Sequence, residues 1–315
     1  MMRFMFVFPG QGSQSVGMMS SYEGLPAIRE TFAEASDVLG EDLWEMAQSG
    51  PAERLSLTVN TQPLMLTAGV AVWRAWRALG GPEPALLAGH SLGEYTALVA
   101  AESLSFADAL PLVRLRAQAM QEAVPAGVGA MAAVMGLDAA AVETVCRQAA
   151  AETGETVAPA NLNAPGQIVI AGHKGAVERA AALAKEAGAK RAVPLPVSAP
   201  FHCELMKPAA ERLAERLAGI ALRPPRIPVL HNVDVAEHRD PEEIRRALVE
   251  QAWRPVRWIE TIEEAARRGI THVYECGPGK VLAALTKRIV KDLDGGALAD
   301  AASLRAALEA LAAQS

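Results

Sequence analysis

The sequence predicts an α/β protein in which a core of parallel strands and covering helices carries a smaller β-α-β-β-α-β unit as an insertion. Three observations carry this. First, Arg3-Phe4-Met5-Phe6-Val7-Phe8 is a continuous apolar run, the kind of strand that a parallel sheet buries on both faces. Second, the apolar Ala85-Leu86-Leu87-Ala88 turns through Gly89-His90-Ser91-Leu92-Gly93 into the helical pattern Glu94 to Ala100, a strand, tight turn and helix. Third, the texture changes at Gly127. Alternating short strands and two helices then run to Val197, in about 70 residues, the size of a small inserted domain of ferredoxin-like order.

Bulk properties narrow the class. A chain of 315 residues, 51% hydrophobic and 21% charged, can bury a full core and reads as ordinary globular protein. The net charge of −6 argues against nucleic acid as a partner. Cys146, Cys203 and Cys276 are far apart, with no metal-type C-x-x-C spacing and no disulfide framework, which suits a reducing compartment. The N-terminal apolar stretch is too short for a signal peptide. The longest apolar run, Pro63 to Leu79, contains Arg74 and Arg77 and reads as a buried helix, not a membrane span. The expected location is the cytoplasm.

The turn around Ser91 matters most. In G-x-S-x-G between strand and helix the serine occupies a strained backbone position, and the glycines let strand and helix approach. Such a turn presents the hydroxyl at a helix N-terminus, where free N–H groups favour a developing oxyanion. The alternative is a tight turn with an idle serine.

After the first strand comes Pro9-Gly10-Gln11-Gly12-Ser13-Gln14. A dinucleotide fingerprint would need glycine where Ser15 stands, and a Walker loop would need Gly-Lys-Ser/Thr. The loop reads as a place where backbone and the Gln11 side chain approach something closely, or else as a plain turn. Helices are expected at Ala27 to Leu39, Leu43 to Gln48 and Gln62 to Leu79, the last stopped by Gly80-Gly81-Pro82. In the helix Phe106 to Ala123, Arg116 falls on the apolar face with Ala109, Leu112, Val113, Ala119, Met120 and Ala123. A buried guanidinium is costly unless an anion meets it. It meets a ligand, forms an internal ion pair, or snorkels out.

Within the insertion, strands are expected at Ala130 to Met135, Thr156 to Leu162, Gln167 to Ala171 and Lys190 to Val197, with helices at Ala139 to Ala150 and His173 to Ala187. Ser198-Ala199-Pro200-Phe201-His202-Cys203 follows, then a helix from Glu204 to Ala218. Of six histidines, His202 alone lies in a loop ahead of a helix, where it can face a cleft and serve Ser91 as base. His173, His231 and His272 border regular elements, His238 lies in a polar run, and His90 is taken up by the turn. No strand-end aspartate between Ser91 and His202 completes a triad. A neutral carbonyl from Gln251 is the alternative acceptor for the imidazole N–H. The turn Gly277-Pro278-Gly279 reads as structural, and Asp292 to Ser315 as an alanine-rich helix and tail.

These segments resemble the malonyl-CoA:acyl carrier protein transacylases and the related acyltransferase domains of polyketide and fatty acid synthases. The resemblance rests on Pro9 to Gln14, Gly89 to Tyr95, Gln121 to Pro125, Asn163 to Gln167, Pro200 to Cys203 and Gly277 to Lys280, in that order along nearly the whole chain. It implies an α/β-hydrolase-like catalytic core, residues 1–126 and 198–315, with a ferredoxin-like subdomain, residues 127–197, inserted. It further implies Ser91 as nucleophile, His202 as base and Gln251 as the residue whose carbonyl orients the imidazole. The backbone N–H groups of Gln11 and Leu92 would hold the oxyanion, and Arg116 would pair with the free malonyl carboxylate. Phe201 matches malonyl-selective members. No metal or redox cofactor is implied. The implied partners are malonyl-CoA and acyl carrier protein, with no nucleic acid and no membrane, and the resemblance favours a monomer. Because carriers are acidic, Lys185, Lys190, Arg191, Lys287, Arg288 and Lys291 are candidates for docking. A hydrolase of the same fold and a non-catalytic carrier-binding module are the rival readings.

Overall fold

The fold is that of a computed structural model, which describes residues 1–197 and 199–314. In chain order the strands are Phe4–Phe8 (β1), Leu86–Gly89 (β2), Gly129–Met135 (β3), Val157–Ala164 (β4), Gln167–His173 (β5), Arg191–Pro194 (β6), Val229–Leu230 (β7), His272–Glu275 (β8) and Asp294–Ala297 (β9). The helices are Pro26–Leu39 (α1), Leu43–Ser49 (α2), Ala52–Leu55 (α3), Thr58–Ala78 (α4), Gly93–Ala100 (α5), Phe106–Glu122 (α6) and Ala139–Thr153 (α7). After these come Lys174–Glu186 (α8), Lys207–Ala218 (α9), Pro241–Gln251 (α10), Trp258–Arg267 (α11), Val281–Ile289 (α12) and Ala301–Ala312 (α13).

The wholly apolar β1 lies at the centre of a five-stranded sheet of order β7-β2-β1-β8-β9. Its neighbours β2 and β8 both run parallel to it, and the outer strands add in parallel. A central parallel strand has no solvent face, which is why all five of its residues are buried. One side of the sheet packs Phe4, Phe6 and Phe8 against α4, including Trp76, and the other packs Met5 and Val7 against Trp258, Ile262 and Leu282. The period of two along β1 is thus divided between two hydrophobic layers.

The second sheet is antiparallel, of order β4-β5-β3-β6. Two crossover helices, α7 and α8, cover one face, and with this strand order the unit is ferredoxin-like. Alternation again sorts the side chains. Ala132, Val134, Ile168 and Ile170 pack under α7 and α8, against residues such as Val145 and Leu183. Met131, Val169 and Ala171 face the other way and meet Ala119 and Met120 of α6 together with Phe201 and Met206. That second interface closes over the carboxyl ends of β1 and β2. Backbone hydrogen bonds between β4 and Val256 fasten the small sheet to the segment after α10. The expected class, an α/β-hydrolase-like core with an inserted ferredoxin-like unit, is the observed one. The expected core segment 198–315 begins and ends on Ser198 and Ser315, which lie outside the described residues.

Several local expectations are corrected. Residues 292–315 were expected as helix and tail, but Asp294–Ala297 is an edge strand, and only Ala301–Ala312 is helical. Gly295 and Gly296 give that strand almost no β propensity, so it forms because β8 offers it a ladder. Helix α4 starts at Thr58, a turn before Gln62, and carries Pro63 inside it at the cost of one i→i−4 hydrogen bond. His173 has two places at once, as the last residue of β5 and the N-cap of α8, so the helix proper begins at Lys174. Glu204–Met206 is a 3-10 turn leading into α9. Among the described residues no helix is long and apolar enough to cross a membrane.

Candidate active site

Ser91 stands between β2 and α5 with φ +52°, a left-handed conformation that costs a non-glycine residue roughly 1–3 kcal/mol. The flanking glycines leave no room for substitution. A Cβ on Gly89 would lie 1.9 Å from the carbonyl of Gly93, and one on Gly93 would lie 2.1 Å from the carbonyl oxygen of Phe8. Hydrogen bonds offset the strain. The Ser91 N–H donates to Asn232 Oδ1 at 2.8 Å, Asn232 Nδ2 donates to the Gly89 carbonyl at 2.7 Å, and Gln251 Nε2 donates to the Ser91 carbonyl at 2.8 Å. Asn232 is fixed in turn from below. Its N–H donates to Glu94 Oε1 at 2.6 Å, and Glu94 Oε2 meets His231 Nδ1 at 3.2 Å, all of them buried.

His202 is the histidine that reaches the serine. It is 3% exposed, and its Nε2 lies 2.7 Å from Ser91 Oγ. On the other side, Nδ1 lies 2.7 Å from the main-chain carbonyl oxygen of Gln251. A carbonyl only accepts, so Nδ1 carries the proton and Nε2 is left as the acceptor for the serine hydroxyl. Burial, and then the charge of Arg116, pushes the His202 imidazole down to about 3. It is neutral and able to accept a proton at pH 7. The orienting carbonyl of Gln251 therefore belongs to the backbone at the end of α10. Its side chain has different work: Oε1 accepts from Arg116 Nη2 at 2.8 Å, while Nε2 reaches Ser91 and Asn232.

Arg116 resolves the three alternatives left by its place on the apolar face of α6. It is 1% exposed, so it does not snorkel. No carboxylate among the described residues pairs with it. Its guanidinium donates to Gln62 Oε1 at 2.9 Å, Gln251 Oε1 at 2.8 Å and Ser91 Oγ at 3.2 Å, and lies over the Tyr95 ring at 5.2 Å. Its buried Nε–H has no partner. The nearby Glu94 acts on it only at a distance, since both carboxylate oxygens are held by Asn232 and His231. What remains is a desolvated cation with donor capacity to spare beside a nucleophile.

Gln11 and Leu92 line the same cavity, of about 130 Å³, with Ser91, His202, Arg116, Gln62, Met120, Met131 and Phe201. Neither main-chain N–H of Gln11 or Leu92 donates to an acceptor among the described residues. The glycine-rich loop that carries Gln11 does approach something closely. A Cβ on Gly10 would lie 2.6 Å from the His90 carbonyl oxygen, so the loop is pressed onto the serine turn. A groove of about 270 Å³, lined by Leu57, Thr58, Val59, Gln121 and Pro196, shares Gln11 and Val197 with the cavity. A larger cleft, about 610 Å³, lies at the far end of α5. No histidine lines it to serve as base, and three of its four arginines, Arg74, Arg77 and Arg226, are already paired with glutamates, so the smaller cavity is the candidate site. Among the described residues no cluster of histidine, cysteine and carboxylate side chains is arranged to hold a metal ion.

Five of the residues singled out in the sequence, Gln11, Ser91, Leu92, Arg116 and His202, line one cavity, and Gln251 lies behind it, bonded to Ser91, Arg116 and His202. Sequence reasoning missed Gln62, Asn232 and the Glu94–His231 pair. Glu94 alone left a signal, as the one charged residue on an eight-residue helix.

A parallel sheet presenting a serine on a strand–helix turn, with a neutral imidazole against it, is the layout of α/β enzymes of acyl transfer. The chain belongs to the acyl transferase domain family, whose sequence model matches residues 5–307. It is 57% identical to the malonyl CoA-acyl carrier protein transacylase of Salmonella typhimurium, over 98% of this chain and 99% of that one. It is 47% identical to the Bacillus subtilis protein of the same name, over 99% and 98% of the two chains. The crystal structure of an acyl-carrier-protein S-malonyltransferase from Burkholderia pseudomallei superposes with a TM-score of 0.96 at 58% identity, covering 98% of this chain and 100% of that one. A malonyl-transacylase solved in complex with a type II PKS acyl-carrier protein superposes with a TM-score of 0.96 at 53% identity, covering 98% and 99%.

Proposed function

We propose that this chain moves a malonyl group from malonyl-CoA to the phosphopantetheine thiol of acyl carrier protein through a malonyl-serine ester. One observation carries the choice of substrate: a buried guanidinium without a carboxylate partner, 3.2 Å from the Ser91 hydroxyl. An acyl group bound to Ser91 can satisfy that cation only if it carries an anion a short distance beyond its carbonyl. Malonyl has its second carboxylate one methylene away. A planar guanidinium can give that carboxylate two parallel hydrogen bonds.

His202 Nε2 takes the Ser91 proton as Oγ attacks the thioester carbonyl. The tetrahedral oxyanion is held by the N–H groups of Gln11 and Leu92. As the C–S bond breaks, the imidazolium returns its proton to the departing CoA thiolate, leaving the ester. In the second half, His202 takes the proton of the carrier's thiol, sulfur attacks the ester, and Ser91 leaves with that proton. The family resemblance and the chemistry at Ser91 call for no metal or redox cofactor. The groove beside Thr58 and Gln121 suits the pantetheine arm, since it opens from the cavity at Gln11 and Val197. Of the candidate docking residues, Arg288 is occupied by Gln167 and the Pro165 carbonyl, and Lys287 faces Asp294 at 3.9 Å. Lys185, Lys190, Arg191 and Lys291 remain the better candidates. We read the functional units as the catalytic core 1–126 and 198–315 and the insertion 127–197, acting as a monomer in the cytoplasm.

The test is mass spectrometry of the intact protein after malonyl-CoA, and again after carrier is added. The reading requires one malonyl on Ser91 that disappears as the carrier gains it. Label on another residue, or loss to water at the same rate without carrier, would overturn it.

A further inference from the structure

We propose that Gln62 is a specificity-determining residue: it holds Arg116 with a neutral oxygen so that the positive charge is kept for the acyl carboxylate. The inference rests on the malonyl reading above. Its basis is a contrast within this chain. Many arginines at or near the surface are met by carboxylates, as in Arg74–Glu34, Arg212–Glu122 and Arg268–Glu237, and Arg288, which is met by neutral oxygens, is exposed to water. Even Arg114, two residues from Arg116 on the same helix, pairs with Glu41 at 3.0 Å. Arg116 is the one that is fully buried, where a counter-ion is most needed, yet every oxygen it touches is uncharged.

An amide oxygen and a carboxylate oxygen differ little in size and can accept the same hydrogen bond, so either can aim the guanidinium. They differ in what is left afterwards. Beside an amide the cation is oriented and still uncompensated. Beside a carboxylate it is satisfied, and a second carboxylate entering the same small cavity meets a like charge in a medium that screens it poorly. Gln251 contributes the other neutral oxygen, but it also tethers Ser91 and orients His202. Gln62, 2% exposed and lining the cavity, has its one side-chain bond among the described residues to Arg116. Substitution there changes the charge balance with the least disturbance to the reacting groups.

Two variants separate charge from positioning. Gln62→Glu keeps the hydrogen bond and adds a charge, whereas Gln62→Met loses the bond and adds none. Each is offered malonyl-CoA and acetyl-CoA in competition, and the acyl group on Ser91 is read by mass spectrometry, with thermal melting as the check on folding. The malonyl-to-acetyl ratio should fall by roughly 10² or more in Gln62→Glu, on the scale that unpaired polar groups discriminate. In Gln62→Met it should stay within a few-fold of the parent, with a raised KM for malonyl-CoA. A Gln62→Glu protein that keeps the parental ratio overturns the inference. So does a Gln62→Met protein that loses it, and that arm decides alone if Gln62→Glu does not fold. A parent that itself shows no malonyl preference refutes the malonyl reading, and this inference with it, whatever the variants do.

Discussion

His202 Nδ1 lies 2.7 Å from the main-chain carbonyl oxygen of Gln251, where a serine triad ordinarily places a carboxylate. A carbonyl fixes the tautomer and the ring as an acid would, but gives no charge to an imidazolium. Two consequences follow: the orienting group survives side-chain replacement, and the imidazole is easily kept neutral.

The first can be read in a pair of variants. His202→Ala should slow acylation of Ser91 by about 10² or more, the scale of a lost general base. Gln251→Ala keeps the backbone carbonyl and should cost less in rate. Because the Gln251 side chain also holds Arg116, KM for malonyl-CoA should rise, while the malonyl-to-acetyl ratio stays within a few-fold of the parent, as for Gln62→Met. Single-turnover acylation with both donors checks this. Equal rate losses in the two variants would mean that the Gln251 side chain, not its backbone, supports the histidine.

The second concerns pH. An ordinary imidazole would lose its basicity below about 6.5, but burial and the neighbouring Arg116 push His202 down to about 3. Acylation by acetyl-CoA should stay flat as pH falls through 6.5 and down to about 4, as far as the fold persists. Arg116→Ala removes a positive charge beside the ring, so protonation becomes easier and the acid limb should move to higher pH. A parental profile that breaks near 6.5 would contradict the burial of a neutral base.

A stability prediction comes from Glu275 at the end of β8. Its carboxyl is fully buried, one oxygen accepts from the Ala283 N–H and the other has no partner. Burial raises it to about 7. The folded state then holds a proton that the unfolded state has released above its ordinary value of 4.5. This group's contribution therefore declines as pH rises from 4.5 to about 7, by up to about 1.4 kcal/mol per unit. Glu275→Gln should flatten that part of the profile, so its stability relative to the parent rises over the same interval. Denaturant unfolding of both proteins at several pH values reads the difference. A gap independent of pH would show that Glu275 is ionised in the fold throughout.

Much of this site was legible because each signal was local. Gly89 and Gly93 bracket Ser91 within one turn, and the helical spacing of Arg116 put it inside the apolar face before any partner was known. The β-α-β-β-α-β order that begins after Gly127 announced a second sheet. What stayed hidden depends on chain segments far apart in sequence. Asn232 is an ordinary polar residue after a two-residue strand, and only the approach of β7 to β2 brings it under Ser91. Gln62 sits more than 50 positions from Arg116, and nothing in its neighbours marks it. The carbonyl that orients His202 belongs to the backbone, which no side chain advertises. The strand at Asp294–Ala297 is built on glycine, so its existence is decided by the neighbouring edge of β8.

The most direct measurement is a competition between malonyl-CoA and acetyl-CoA for Arg116→Ala, with Arg116→Lys beside it, reading which acyl group is found on Ser91. The parent should load malonyl in large excess, since acetyl leaves a buried charge unmet; polar sites of this kind discriminate by roughly 10⁴ or more. Arg116→Ala should lose malonyl transfer while keeping or gaining acetyl transfer. Arg116→Lys should fall between them and nearer to Ala, because an ammonium does not reproduce the planar pair of donors. If Arg116→Ala kept the parent's preference for malonyl, the carboxylate would be read by another group and the account of this site would be wrong.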